Sequence, residues 1–199
     1  MKHWRYLSPA GAIGLLLFAT ACSDEMHETH CAPLIGGGSY CLQPSTAGAP
    51  FEVQQSIEAH FRGKNETMIA ELEADATGMR FVGLTPFGHT LLQVNYNNYT
   101  ASAIKLPDPR LQPAFLIALI QLALWPPDAV RAGLETPLRL EESADQRRIF
   151  DRNEVILTIS YTGAQPPYQR IQMNIHGAAI ELDIKTLQES GIGQVEFEK

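Results

Sequence analysis

The residues of this chain best suited to chemistry are its three cysteines and six histidines, most of which lie near the N-terminus. Two outcomes are consistent with their spacing. Cys31 and Cys41 can pair as a disulfide, or Cys31 can bind a metal together with His27 and His30. An oxidising compartment favours the disulfide, which would close a short loop that contains three consecutive glycines. We therefore expect the disulfide, and we expect no metal and no cofactor.

Cys22 has a different setting, because an export-type segment precedes it. A basic start is followed by an apolar run over 10–19 and then by small residues, which is the order typical of a signal peptide. The Ala19-Thr20-Ala21-Cys22 stretch is similar to the bacterial lipobox, whose cysteine is acylated and becomes the new N-terminus. The alternatives are an ordinary cleaved signal peptide or a short anchor helix, although this run is short for a bilayer. We expect lipidation of Cys22, and Ser23 after it favours the outer membrane.

The remaining chemistry-bearing residues have no spacing typical of an enzyme. The chain contains no G-x-S-x-G, H-E-x-x-H, P-loop or G-x-G-x-x-G motif. His60, His89 and His176 lie far apart in strand or turn positions, and residues 145–148 have the composition of a solvated turn. We expect no catalytic residues, and a net charge of −7 argues against nucleic acid as a partner.

The elements that must position these residues are mainly β-strands. Apolar and polar residues alternate over 51–61 and 68–74, and shorter strand patterns follow between turn residues. The alternation returns at 154–161, 171–175 and 180–184. One apolar and one polar face along each strand predict a meandering antiparallel sheet with a solvated outer side.

One segment between these two blocks has a different character. Residues 113–125 contain Gln121 as their single polar side chain, begin with Pro113 and are followed by two prolines, which predicts a helix. A second short helix is predicted over 127–132. At about 20 Å the first helix is too short to span hydrocarbon. Its large side chains would each lose about 1.5–3 kcal/mol in water, so other elements must cover it.

These observations define a fold class and three regions. The fold class is mainly β with a helical insert (α+β): a curved antiparallel half-open barrel, closed by a short apolar helical lid at about 111–133. Residues 1–21 are expected to be the lipoprotein signal peptide. Residues 22–50, rich in Gly, Pro and Ser, are expected to be a tether with the disulfide loop. Residues 51–199 are long enough for a single domain with its own core.

Three segments resemble an uncharacterised family of outer-membrane lipoproteins. They are Gly83-Leu-Thr-Pro-Phe-Gly88, Gln121-Leu-Ala-Leu-Trp-Pro126 and the terminal β-hairpin, and the resemblance covers about 51 to 187. Such proteins are encoded beside aryl-polyene biosynthesis genes in Gram-negative bacteria. Their plan is similar to the LolA and LolB lipoprotein carriers, which hold acyl chains under a helical lid. The resemblance implies this fold, and it implies a lipid or apolar amphiphile, such as an aryl-polyene lipid, as ligand.

Two functions are consistent with the sequence. In the first, a lipoprotein on the periplasmic face of the outer membrane binds or accepts an amphiphile, delivered by a periplasmic carrier protein. The ligand would occupy a cavity between sheet and lid, contacting Phe115, Leu116, Leu119, Gln121, Leu122 and Trp125. In the second, the helix is a permanent core element of a non-catalytic scaffold in an envelope assembly. A continuous apolar cavity would support the first function, and a filled interior would support the second.

Overall fold

The computed structural model of the chain describes residues 30–190. The expected signal peptide, Cys22 and His27 lie outside these residues. The described part consists mainly of β-strands, with two helices in the middle of the chain. In chain order these elements are β1 (Cys31–Pro33), β2 (Ser39–Cys41), β3 (Phe51–Phe61), β4 (Lys64–Asp75), β5 (Gly78–Leu84), β6 (Thr90–Tyr96), β7 (Ala101–Lys105), α1 (Pro113–Leu124), α2 (Pro127–Gly133), β8 (Leu138–Glu142), β9 (Gln146–Asp151), β10 (Glu154–Thr162), β11 (Arg170–Ile175) and β12 (Ile180–Ser190).

Ten of the strands form one curved antiparallel sheet in the order β7-β6-β5-β4-β3-β12-β11-β10-β9-β8. Two local meanders, β3 to β7 and β8 to β12, are joined where β3 pairs with β12. Among residues 30–190, β7 and β8 do not pair with each other, so they are the two edges of the sheet as described. The predicted fold class, mainly β with a helical insert, is confirmed.

The alternation of residue types decides which side of the sheet faces the core. Val53 and Ile57 are buried, and their cross-strand partners Leu72 and Ile184 are buried on the same face. Between β3 and β4 the chain turns at Gly63, whose φ of 73° is a conformation that glycine adopts without steric cost. The buried side chains of both meanders therefore share the concave side of the sheet.

Both predicted helices are present, and α1 is packed against the sheet. Pro113 occupies its first turn, and the helix ends before Trp125, whose main chain is extended. The ring of Trp125 meets the ring of Phe51 edge to face, with 6.3 Å between their centroids. Within residues 30–190, no helix combines the length and apolar character needed to cross a membrane.

The N-terminal hairpin of β1 and β2 belongs to the core, which differs from the expected solvated tether. Ala32 and Tyr40, the central residues of these two short strands, are paired with each other and completely buried. The turn between them includes Gly36 at a φ of 108°, and a Cβ atom there would lie 2.6 Å from Ile156 Cγ2. Gly36 thus allows a close approach between the hairpin and β10.

Candidate functional site: helix α1 and its anchors

The apolar side chains of α1 divide into two groups, and the predicted ligand-binding residues Phe115, Leu116, Leu119 and Leu122 fall in both. Ile117, Ala118 and Leu122 face the sheet and are completely buried. On the other side of the helix, the apolar side chains of Phe115, Leu116, Leu119 and Ile120 are only partly buried. The helical period of 3.6 residues places the second group on one side of the helix. That side is partly exposed only along the N-terminal half, because Ala123 and Leu124 are buried and the C-terminal half is therefore covered all round.

Gln121, the single polar side chain of the helix, is completely buried and has partners on the N-terminal segment. Its Oε1 accepts a hydrogen bond from the Gln43 main-chain N–H at 2.8 Å, and its Nε2 donates to the Gln43 carbonyl oxygen at 2.7 Å. The side chain therefore pairs with Gln43 as a neighbouring β-strand would. The buried amide thus has a partner for its carbonyl oxygen and a partner for its NH2 group, as buried polar groups require.

Trp125 is a second anchor between the end of α1 and the N-terminal segment. Its indole Nε1–H donates a hydrogen bond to the Pro44 carbonyl oxygen at 3.2 Å, and the side chain is completely buried. A buried tryptophan provides a large apolar contact area, and its N–H needs an acceptor such as this one. Gln121 and Trp125 thus join the C-terminal half of α1 to Gln43 and Pro44, which follow β2.

Arg147 is a third anchor, and its predicted position in a solvated turn is wrong. It was expected in a solvated turn, but it lies in β9 with only 3% of its surface exposed. Its Nη1 donates hydrogen bonds to the carbonyl oxygens of Leu122 (3.1 Å), Ala123 (3.3 Å) and Trp125 (2.7 Å). The period of two along β9 explains the burial, because Arg147 shares a face with the buried Ile149.

The charge of Arg147 is compensated from two directions. Its Nε–H donates to Glu142 Oε1 at 2.8 Å, forming an ion pair. The last carbonyl groups of a helix carry a partial negative charge, which also stabilises a cation at this position. Tyr161 adds a hydrogen bond from its hydroxyl to the Ala123 carbonyl oxygen at 3.0 Å. Burial raises the pKa of Tyr161, so this hydroxyl keeps its proton well into alkaline solution.

The expected continuous cavity between α1 and the sheet is filled in this structure. Ile117 and Leu122 of α1 and Ile159 of β10 have no accessible surface, so no water-sized space touches them. Two surface pockets of the described residues lie elsewhere. One, of about 210 Å³, is on the outer face near Glu52 and Arg80, and the other, of about 250 Å³, is beside Tyr168.

The structure also locates the other residues considered from the sequence. Cys31 and Cys41 form the predicted disulfide across β1 and β2, so both sulfur atoms are bonded to each other. His60 contacts Asn65 through Nδ1 at 2.7 Å, and His176 contacts Thr158 through Nε2 at 2.9 Å. These histidines lie on separate strands and turns, and the described residues do not bring them together into one cluster.

Comparison with known proteins identifies a family but no activity. Residues 52–188 match the family described as "Protein of unknown function (DUF3261)". No curated protein matches the chain.

Two solved structures are similar at low sequence identity. A LolA superfamily protein from Nitrosomonas europaea has 8% identity and a TM-score of 0.44, with 76% of this chain and 91% of that chain covered. A domain of an outer membrane lipoprotein-sorting protein from Vibrio parahaemolyticus has 10% identity and a TM-score of 0.38, with coverage of 75% and 88%. Because both TM-scores and both identities are low, the fold is assigned from the strand order of this chain and not from these two structures.

Proposed function

We propose that this chain, which belongs to the DUF3261 family of proteins of unknown function, binds the apolar part of a lipid or other amphiphile. The single observation that carries the proposal is the partly exposed apolar face on the N-terminal half of α1. Phe115, Leu116 and Leu119 lie on this face. Apolar surface left in contact with water is unfavourable by about 25 cal/mol per Å², and an apolar ligand would remove that cost.

The two halves of α1 are held very differently. Gln121, Trp125 and Arg147 fix the C-terminal half through hydrogen bonds to neighbouring elements. The N-terminal half contains no charged residue in its first turn and no side-chain hydrogen bond at its N-cap, Gln112. In the proposed mechanism the N-terminal half moves away from the sheet to admit an apolar chain while the C-terminal half stays in place. Local opening of this kind occurs where fewer interactions must be broken.

The concave face of the sheet supplies further apolar contacts. Met68, Ile180 and Leu182 are partly exposed and pack against the buried core. Their strand partners are Ile57, Phe61 and Ala59, which place them on the concave side. We assign ligand contact to these side chains and to Phe115, Leu116 and Leu119. The proposed role of Gln121, Leu122 and Trp125 is to position the helix.

The proposed location is the periplasmic face of the outer membrane. Acylation of Cys22 after removal of residues 1–21 would anchor the protein, and two or more acyl chains make such binding stable. Residues 22–29 would then connect the anchor to the disulfide-linked hairpin. A membrane-anchored protein with an apolar surface is suited to accept an amphiphile from a periplasmic carrier protein, and an aryl-polyene lipid is one candidate ligand.

Binding of a fluorescent fatty acid to the purified protein tests this proposal. The wild-type protein should show saturable uptake, and Leu119→Glu should weaken it by about tenfold or more, because a carboxylate replaces a buried apolar contact. Leu187→Glu is the matched control, since Leu187 is exposed on β12 and outside the proposed surface. Circular dichroism would establish that both variants fold, and Leu119→Gln replaces Leu119→Glu if the latter does not. Absence of saturable uptake by the wild type would contradict the proposal.

A non-catalytic scaffold is the second candidate, and the filled interior favours it. Every buried residue of α1 already has protein partners, as a permanent core helix would. This function predicts that a protein partner copurifies with the chain after complete delipidation. It also predicts that the wild type retains no lipid, and that Leu119→Glu lowers thermal stability alone.

A further inference from the structure

The concave face of the sheet is covered at one end and open at the other. Along β3 the inward side chains change from buried, at Val53 and Ile57, to partly exposed, at Ala59 and Phe61. The inward side chains of β4 change in the same direction, from the buried Ala70 to exposed residues near the turn. The end of the sheet at which β3 turns into β4 is therefore its open end.

The elements that cover the concave face lie at the opposite end and to one side. Trp125, which follows α1, packs on Phe51 at the start of β3. The N-terminal hairpin reaches the turn between β11 and β12, where a Cβ atom on Gly177 would lie 3.2 Å from Ile35 Cγ2. Next to these covers, β4 and β12 present partly exposed apolar side chains near the open end, namely Met68, Ile180 and Leu182.

Two charged side chains share this apolar side of the sheet. In the ladder between β3 and β4, Lys64 pairs with Phe61 and Glu66 pairs with Ala59. Directly paired residues point to the same side of a sheet, so Lys64 and Glu66 lie on the concave side together with Met68. Both are exposed. Within residues 30–190 neither takes part in an ion pair.

The backbone holds these two charges at a fixed spacing. The turn before them consists of Arg62 and Gly63, whose φ values of 50° and 73° are those of a tight two-residue hairpin turn. Residues two apart in a strand are separated by about 7 Å. Charged residues on an edge strand can serve to prevent aggregation, but β4 is paired on both sides, with β3 and β5. Edge protection therefore does not explain Lys64 and Glu66.

We infer that the open end binds the head group of a zwitterionic phospholipid with a primary amine, such as phosphatidylethanolamine; this inference rests on the proposed lipid binding. The Lys64 ammonium group pairs with the phosphate, and the Glu66 carboxylate pairs with the amine of the lipid. The acyl chains then extend over Met68, Ile180 and Leu182 towards α1. A fatty acid or a phosphatidylglycerol would supply a partner for Lys64 only, so the charge pair favours a head group that carries both signs.

Binding of fluorescent phospholipids to the purified protein tests the inference, with the label on an acyl chain so that the head group is unmodified. The wild type should bind phosphatidylethanolamine about fivefold more tightly than phosphatidylglycerol with the same chains, as expected for a partly exposed ion pair. Glu66→Gln should remove this preference and leave fatty-acid uptake unchanged. Glu71→Gln is the matched control and should keep the preference, because Glu71 lies on the same strand but pairs with Gln54 on the convex face.

A second variant tests the contact with the phosphate. Lys64→Gln should weaken the binding of both phospholipids, since both carry a phosphate, and thermal unfolding would establish that each variant folds. Equal binding of the two phospholipids by the wild type, tighter binding of phosphatidylglycerol, or an unchanged preference in Glu66→Gln would overturn the inference. Saturable fatty-acid uptake together with any of these results would leave the proposed lipid binding intact, whereas no uptake of any probe would overturn both.

Discussion

Arg147 and Trp125 are joined by a 2.7 Å hydrogen bond from the guanidinium group to the main-chain carbonyl oxygen. This bond connects a strand of the second meander to the residue at which α1 ends. Because the arginine also bonds to Leu122, Ala123 and Glu142, one buried cation satisfies most of the hydrogen-bond acceptors at the end of the helix. The position of α1 on the sheet therefore depends strongly on this side chain.

Replacement of Arg147 by methionine should strongly destabilise the protein. It leaves the carbonyl groups of Leu122, Ala123 and Trp125 without the donor they share, and a buried acceptor left without a partner costs about 1–3 kcal/mol. Urea unfolding followed by circular dichroism would measure the loss. Arg148→Met is the control, because this neighbouring arginine is exposed and its ion pair contributes at most about 1 kcal/mol. Equal effects of the two variants would contradict the assigned role of Arg147.

Replacement of Gln121 by methionine should cost about 2 kcal/mol or more. The substitution preserves the size of the side chain but leaves the N–H and C=O groups of Gln43 without partners, at about 1–3 kcal/mol for each buried group. The free energy of unfolding is the measurement. Gln172→Met, at an exposed position of β11, should stay within about 0.5 kcal/mol of the wild type. A neutral Gln121→Met would show that the pair with Gln43 is dispensable.

Loss of the Cys31–Cys41 disulfide should lower the stability by about 2–3 kcal/mol, since it closes a loop with a sequence separation of 10. The double variant Cys31→Ser, Cys41→Ser tests this in thermal unfolding experiments. Reductant should lower the melting temperature of the wild type and leave that of the double variant unchanged. A wild type that is insensitive to reductant under unfolding conditions would be inconsistent with the stabilising role of this bond.

Stability should fall as the pH rises above about 10, because of the buried tyrosines. Burial raises the pKa of Tyr96 to about 12, and it raises the pKa of Tyr40 further. Unfolded tyrosines ionise near a pKa of about 10, so above this pH the unfolded state binds fewer protons than the folded state. The free energy of unfolding must then decrease with pH. Melting temperatures between neutral pH and about pH 11 would measure the decrease.

Tyr40→Phe provides the matched variant for the pH experiment. The Tyr40 hydroxyl is buried and has no hydrogen-bond partner within the described part of the chain. Its removal should therefore leave stability at neutral pH unchanged or slightly higher, because a buried hydroxyl without a partner is unfavourable. The alkaline decrease should become smaller, since one titrating group is lost. An unchanged alkaline slope would rule out Tyr40 as a contributor.

Local patterns predicted the individual elements well. The alternation of apolar residues on β3, with Gly63 after it, gave that strand its observed bounds, and two prolines gave α1 its end. Both features act over a few residues, so neighbouring residue types are enough to recognise them. The same is true of the disulfide, since Cys31 and Cys41 are close in sequence and the hairpin between them is short.

The relationships that fix the candidate site depend on distant parts of the chain. Gln121 bonds to Gln43, which is 78 positions away, and a single glutamine in an apolar run does not reveal its partner. Arg147 was misassigned because two adjacent arginines resemble a solvated turn. Only the alternation with Ile149 indicates that Arg147 faces inwards, and an arginine there requires acceptors that the sequence of β9 does not supply.

The join between β3 and β12 determines when the molecule can become compact. These strands come from opposite ends of the described chain, and together they make the central ladder of the sheet. Each meander can begin to form by itself, but the ladder between β3 and β12 cannot form until β12 has been synthesised. Bringing such remote segments together is slow in comparison with hairpin closure. Until then, the apolar faces of both meanders remain exposed to solvent, and a chaperone that binds them would limit aggregation.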